Sequence, residues 1–428
     1  MFSAYLYTLR YAFEKNNLPE TESQVTMPRS LSLTNFWPKS LKNALTWKNT
    51  AHNSTPNFTP SAQSSSSPTP QPLTIGELAN RPSSNLISVI IPTRNRYAKV
   101  RQAVESVLSG QTLPLELIVV DQSDEEIAGL TEEVVREAAR RFNFPFSLES
   151  DTRLAEYPAQ VRYIRTATKG AGLCRNLGAL AARGEVLFFT DDDCIVSSDL
   201  IKNVEQEYQQ NPEIAGMYGR VMPAQTREKK RDGTELSRSG LDRRVYDHPA
   251  CPWQIGSGNN MSFRKAIFLA CGKFDEVLTI GGPFEAFEDL DIAYRMLLRG
   301  FQLSYNGQVL VYHDSPKTFA EQLRTERGYG KGAGGAMIKY MRCGDFFALW
   351  MLYKWIWHMA VRRSLAGILK WRNWRVVRLA LIQFYAPWLG VWQGLRWQLD
   401  RQNIVFVTSA KSPETTLSAQ VQDKAEVA

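Results

Sequence analysis

Cysteine is scarce in this chain: Cys174, Cys194, Cys251, Cys271 and Cys343 are an odd number spread over 428 residues, with no C-x-x-C pair. That excludes a disulfide framework and a cysteine zinc site, and it fits a reducing, cytoplasmic setting. The start lacks the ordered basic, apolar and small-residue regions of a secretory leader, because Phe2 to Phe13 is short and broken by Arg10. Long uncharged apolar runs are few. Phe346 to Val361 is interrupted by Lys354 and His358, and as a helix it would reach only about 24 Å against a hydrocarbon core of about 30 Å. It predicts a segment lying in an interface. Val376 to Leu395 contains Arg378, Gln383 and Gln393 and leaves a spanning helix open. There is no internal repeat.

The formal charge of +8 is unevenly placed. From Arg342 to Arg401 ten Lys/Arg face only Asp345 and Asp400, and the same stretch holds eight of the eleven tryptophans. A nucleic-acid binder would spread its lysines over the fold, and no known nucleic-acid module precedes this end, so nucleic acid is excluded as a partner. Basic residues beside tryptophan at the ends of apolar segments suit anionic headgroups and predict peripheral contact at the cytoplasmic face of a membrane. At the other end, eighteen of the twenty-four residues from Asn49 to Pro72 are Ser, Thr, Pro or Asn, too polar to offset chain entropy. The expected organisation is a disordered tail over 1–84, an α/β domain over 85–317, a helical basic segment over 318–402 and a flexible tail over 403–428.

Order should begin with the β-branched run Leu86–Pro92, followed by a helix whose Val100, Ala103, Val104, Val107 and Leu108 fall on one face. Strands at Leu117–Asp121, Val161–Arg165 and Val186–Phe189 alternate with helices at Leu130–Phe142 and Leu173–Ala182. This alternation implies right-handed crossovers and a mainly parallel sheet. Asp199 lies where a cap would start the next helix. From Gly216 to Tyr312 the pattern loosens into shorter strands and loops, and from about Thr318 to Arg401 it reads as helical.

Chemistry concentrates in two acidic clusters. The buried strand Val186–Phe189 runs into Thr190-Asp191-Asp192-Asp193, delivering negative charge to the carboxyl edge where open α/β sheets bind ligands. Carboxylate oxygens suit Mg²⁺ or Mn²⁺, which hold the phosphates of a nucleotide. Alone, such a triplet is equally a solvated turn or a capping cluster. Glu288-Asp289-Leu290-Asp291 follows about a hundred residues later. It supplies a separate acid/base group or, in its blander use, acids that favour a helix N-terminus. His313 after Val309–Tyr312 is a metal or phosphate ligand or a structural histidine. Trp253, before Gly256, stacks on a sugar or fills the core. Gly330-x-Gly332-x-x-Gly335 matches a dinucleotide fingerprint only formally, since no buried strand precedes it.

In order along the chain, Val89-Ile90-Ile91-Pro92-Thr93-Arg94-Asn95-Arg96, Val119-Val120-Asp121, Gly172-Leu-Cys-Arg175-Asn176-Leu-Gly178, Gly184-Glu185-Val186 into Asp191-Asp192-Asp193, Gly256-Ser-Gly-Asn259-Asn260 and Phe287-Glu288-Asp289-Leu-Asp291 resemble a family 2 glycosyltransferase of the GT-A fold. The resemblance covers about Leu86 to Tyr312. It implies an α/β, nucleotide-sugar-binding domain that is inverting and uses Mn²⁺ or Mg²⁺. Asp121 then resembles the carboxylate that meets the nucleotide base, although Gln122 replaces the usual second acid. Pro92, Thr93 and Arg94 resemble ribose and base contacts, and Gly172, Arg175, Asn176 and Asp192 further donor contacts. Asp191 and Asp193 match the outer acids of the D-x-D motif, the first nearer the ribose and the second on the metal; both are expected as metal ligands, and His313, read from its own chemistry, is a further one. Asp289 matches the catalytic base, while Trp253, Gly256, Asn260 and Glu288 fall on the acceptor side.

The implied partners are a nucleotide-sugar donor, taken as a UDP-sugar, and a glycan or lipid-linked acceptor. Gly330 to Gly335, flanked by Lys331 and Lys339, is expected as a flexible loop over the donor diphosphate. Gln322-Leu-Arg-Thr-Glu-Arg327-Gly328 does not reproduce the Gln-x-x-Arg-Trp of processive members, which argues against polymer synthesis. A nucleotidyltransferase-like enzyme and a catalytically silent nucleotide-sugar sensor or membrane scaffold are the alternatives.

Overall fold

Strands Ile87–Thr93 (β1), Glu116–Asp121 (β2), Phe146–Leu148 (β3), Gln160–Arg165 (β4) and Val186–Phe189 (β5) alternate with helices Tyr97–Leu108 (α1), Glu125–Arg141 (α2) and Ala171–Ala181 (α3) in the computed structural model, which describes residues 87–114, 116–148, 160–224, 238–314 and 317–408. Side chains of β1 divide with period two: Val89 and Ile91 enter the apolar cluster under α1 and α2, and Ile90 enters the cluster under α3. The strands are buried on both faces, which is why they read as continuous apolar runs. The expected tail over 1–84 lies outside the described residues.

The chain continues through Cys194–Val196 (β6), Leu200–Gln210 (α4), Ile214–Pro223 (β7), Arg243–Tyr246 (β8), a 3₁₀ turn at Pro252–Gln254, Met261–Arg264 (β9), Lys265–Ala270 (α5), Glu288–Leu298 (α6) and Gln302–His313 (β10). The sheet order is β3-β4-β2-β1-β5-β9-β7-β10-β6, with β8 on β10. It is parallel from β3 to β5 and mixed beyond, because β9 runs antiparallel to both β5 and β7, and β6 antiparallel to β10. The fold is therefore α/β with a mixed sheet, and the loosened pattern after Gly216 is its mixed half, where β10 still runs parallel to β7. Asp199 does precede α4, but its carboxylate accepts from Ser197 Oγ at 2.7 Å instead of capping the helix.

Helices Phe319–Arg342 (α7), Phe347–Ile356 (α8), a π-helical turn Trp357–Arg362, Arg363–Leu369 (α9) and Trp374–Arg396 (α10) follow, closed by the hairpin Leu399–Asp400 (β11) and Val405–Phe406 (β12). Thr318 and Glu321 form a capping box that fixes the start of α7. Order runs past residue 402, correcting the expected tail boundary. Phe406 is buried against Phe284, and its N–H donates to Asp275 Oδ2 at 2.9 Å.

Two expectations fail here for packing reasons. Gly330 to Gly335 is not a loop but the middle of α7, where the glycines let other backbone approach. A Cβ on Gly334 would lie 1.8 Å from the Pro387 carbonyl oxygen in α10, and one on Gly332 would lie 2.2 Å from that of Ala286. Lys339, expected to flank a phosphate loop, is fully buried and paired at 2.7 Å with both Asp275 and Asp291. Asp291 consequently does more than favour a helix N-terminus. It also holds Arg295 Nε at 2.8 Å and accepts from Tyr340 at 2.8 Å, joining α6 to α7. Among the described residues no helix is long and apolar enough to cross a membrane, and α10, over Val376–Leu395, spends one face on α7.

Removing the buried ammonium strands two carboxylates, so Lys339→Met should lower unfolding free energy by about 3–5 kcal/mol in urea titrations. Gly334→Ala should destabilise as well, by roughly 1–3 kcal/mol, through overpacking. A variant as stable as the parent would show that the α6–α7 contact yields at little cost.

Candidate active site

Parallel register brings the carboxyl ends of β1 and β2 together, with Thr93 beside Asp121, and β5 on the other side of β1 delivers Asp191–Asp193 to the same edge. Opposite Cys194, at the start of β6, stands His313 at the end of β10. This pairing sets His313 Nε2 3.3 Å from Asp193 Oδ1. Asp193, Cys194 and His313 offer ligand atoms within 4.8 Å of one another. Burial, with Asp191 and Asp193 nearby, holds the Cys194 thiol well above its usual range, so the donors left are the hard Asp193 carboxylate and the borderline His313 imidazole. The carboxylate suits Mn²⁺ or Mg²⁺, and the imidazole beside it favours Mn²⁺ of the two.

Arg96, in the turn between β1 and α1, donates Nη1 to Asp192 Oδ1 at 3.0 Å and to Asp193 Oδ2 at 3.1 Å. Thr93 Oγ1 donates to the other Asp192 oxygen at 2.8 Å. Burial pushes Asp192 up to about 6 despite the Arg96 charge. Burial also opposes ionisation of Asp193, but the His313 contact and Arg96 hold it below the usual carboxylate range. A cavity of about 430 Å³ opens beside these two acids, lined also by Lys99, Gln102 and Tyr312.

Asp191 turns the other way. Its Oδ1 accepts from Arg175 Nη2 at 2.7 Å, and Arg175 Nη1 binds Glu288 Oε1 at 2.7 Å. Arg175 is almost wholly buried, and its Nε has no partner among the described residues. One guanidinium thus joins the acidic end of β5 to the first turn of α6. Asp289 sits next to Glu288, after Phe287 in a left-handed conformation with φ 101°. Its backbone carbonyl accepts from Tyr218 at 2.7 Å, and its side chain lies over Gly258, where a Cβ would come within 2.8 Å. Gly256 likewise admits Tyr218, at 2.4 Å from a hypothetical Cβ. Burial raises both acids, Glu288 to about 7 with Arg175 opposing and Asp289 adding to the rise.

Several residues expected to face ligands are committed to the protein itself. Asp121 is fully buried, with Oδ1 taken by Ser123 N at 2.8 Å and by Ser123 Oγ at 2.5 Å, and Oδ2 by Tyr163 at 2.5 Å. Asn176 uses its amide on the Phe274 backbone, donating at 3.0 Å and accepting at 3.0 Å. Asn260 donates to the Arg220 and Val309 carbonyls at 2.9 and 3.0 Å inside the sheet. Trp253 meets Trp355 edge-on at 5.4 Å between centroids, so it fills a core. Pro92 is buried in β1, Arg94 is exposed, and the Gly172 N–H donates to Thr279 Oγ1 at 2.7 Å. Sequence reasoning missed the grip of Arg96 on two of the three acids. Its place three residues before Lys99, in the turn facing the triplet, was the available signal.

Residues 88–270 match the family model described as glycosyl transferase family 2. A glucosyl-dolichyl phosphate glucuronosyltransferase of Haloferax volcanii is 26% identical over 194 residues, which is 44% of this chain and 56% of that one. An uncharacterized glycosyltransferase of Haemophilus influenzae is 31% identical over 134 residues, 31% of this chain and 38% of its own. The chain spans about half or less of the length of these relatives. Among solved structures, a mannosyltransferase from Pyrobaculum calidifontis in complex with GDP-Man and Mn²⁺ aligns at a TM-score of 0.45 and 14% identity, over 74% of this chain and 93% of that one. TarS of S. aureus aligns at 0.43 and 15%, over 72% and 89%.

Because the folded state keeps the Glu288 proton up to about 7 while an unfolded chain releases it near 4.5, the native protein binds more protons in that window. Stability should therefore fall as pH rises from 4.5 to 7, by up to about 1.4 kcal/mol per pH unit for one proton. Glu288→Gln should flatten that part of a denaturation-versus-pH profile. An unchanged slope would assign the proton elsewhere.

Proposed function

We propose that this chain, whose residues 88–270 match the family model of glycosyl transferase family 2, transfers a sugar from a nucleoside diphosphate, a UDP-sugar, to a hydroxyl of a glycan or lipid-linked acceptor with inversion, at the cytoplasmic face of a membrane. The observation that carries this reading is Arg175, bonded at once to Asp191 of the strand-end triplet and to Glu288 beside Asp289. It ties a donor-side acid to an acceptor-side helix across one short span, as single displacement requires.

Asp289 takes the proton of the acceptor hydroxyl as its oxygen attacks the anomeric carbon. That bond forms while the bond from the same carbon to the diphosphate oxygen breaks, and its electron pair leaves with the nucleoside diphosphate. The raised proton affinity of Asp289 suits a base better than an ordinary surface carboxylate. Attack opposite the leaving group inverts the centre. Asp193 and His313 would hold Mn²⁺ or Mg²⁺, which when bound neutralises charge on the departing diphosphate. Arg175 keeps Glu288 and Asp191 oriented, and Arg96 steadies Asp192 and Asp193.

Asp289→Asn should retain UDP binding by calorimetry and reduce transfer, or slow hydrolysis of the sugar nucleotide, by roughly 10²–10⁴-fold. UDP should raise the melting temperature of the parent more with Mn²⁺ than without. A variant that transfers normally removes the base assignment. A parent that binds UDP but never turns over any UDP-sugar supports a sensor instead.

A further inference from the structure

Seventeen of the twenty-five large apolar side chains exposed among the described residues lie between Phe346 and Leu395. On α10 they recur at the spacing of one helical face: Leu381, Tyr385, Trp388, Trp392 and Leu395 stand in water. The opposite face of the same helix is spent. Val376, Ala380, Gln383 and Pro387 are buried, and Gly390 lies so close to α7 that a Cβ would be 1.9 Å from the Lys331 carbonyl oxygen. A helix apolar on both faces, one of them uncovered, calls for a partner. Helix α8 repeats the arrangement, burying Ala348, Met351 and Trp355 while exposing Leu349, Trp350 and Tyr353.

Charge selects the partner. No Asp or Glu occurs between Asp345 and Asp400. Among the described residues, Arg363 alone of the basic residues there is neutralised by an acid, Glu326 at 2.8 Å. Lys370, Arg372, Arg375 and Arg378 lie in or just after the turn from α9 into α10, Arg362 precedes α9, and Arg396 stands at the far end of α10. A second copy of this surface would bring like charges together with no acid to meet them. An anionic bilayer meets both features, taking indoles and leucines at the acyl boundary and guanidinium groups among phosphates.

We infer that α8, α9 and α10 form a docking surface on which this protein lies flat against an anionic lipid bilayer, with basic residues at both ends of α10 held at headgroup level. Helix α10 cannot cross, because its buried face carries Gln383, bonded to Glu326 at 2.9 Å and to Trp355 at 3.0 Å. The surface is tied to the proposed chemistry. Trp355 of α8 packs on Phe287, two residues before Asp289, and Gly332 of α7 lies on Ala286. What the bilayer delivers to Asp289 rests on the transferase reading, whereas docking itself does not.

Flotation of the full chain with vesicles of phosphatidylcholine, alone or with phosphatidylglycerol, tests this. The parent should float with the anionic vesicles, bind the neutral ones far less, and detach as salt rises. The variant R372Q/R375Q/R378Q should partition roughly 100-fold more weakly, at about 1 kcal/mol per basic residue. Trp388→Glu with Trp392→Glu, both at exposed positions, should abolish flotation while thermal unfolding stays at the parent value. Asp289→Asn should float like the parent, which separates loss of docking from loss of transfer. Parent protein left at the bottom of the gradient with anionic vesicles overturns the inference, as does a Trp-to-Glu double variant that floats normally. A stable dimer in solution that this double variant splits, without vesicle binding, assigns the surface to a second copy and overturns it too.

Discussion

Three basic side chains, each shared between two carboxylates, hold most of the acids gathered at the closing end of the sheet and in the helix behind it, and this sharing governs the molecule. Asp191 and Glu288 share Arg175, Asp192 and Asp193 share Arg96, and Asp275 and Asp291 share Lys339. Ion pairs of this kind add little to stability compared with well-packed apolar side chains, because desolvation costs about as much as attraction returns. The Lys339 pair joins α6 to α7, whereas the two arginines on the β5 acids are better explained by chemistry than by folding. The pairs also differ in kind. Arg96 is half exposed, whereas Arg175 and Lys339 are sealed, so Asp192 and Asp193 keep a partner that a ligand can reach and the α6 acids do not.

Much of this was legible in the sequence wherever a residue's role follows from its neighbours along the chain. The β-branched run at β1, the apolar stripe of α1 and the acids closing β5 are local patterns, and each occurs where expected. What failed was decided by residues distant in sequence. Nothing near Asp291 announces Lys339 or Tyr340, and nothing near Asp121 announces Tyr163, forty-two positions on. The glycines of α7 misled for the same reason. Glycine normally disfavours a helix interior, and only the backbones of α10 and the loop at Ala286, pressed against it, reverse that reading.

Those glycines also explain how the two halves of the chain act as one body. Helix α7 buries one glycine face against α10 and sets Gly332 and Gly335 against Ala286 and Phe284, in the loop that leads into Asp289. That loop is strained: Glu285 and Phe287 both have positive φ, at 71° and 101°, conformations that a side chain adopts only when its surroundings insist. The surroundings here are α7 and the Trp355 ring of α8. The orientation of the proposed base therefore depends on helices outside the segment that carries the family motifs. A fragment cut at the end of β10 would keep the acids of β5 and His313 but lose the packing that fixes Asp289, so the proposed site includes the C-terminal helices and does not merely adjoin them.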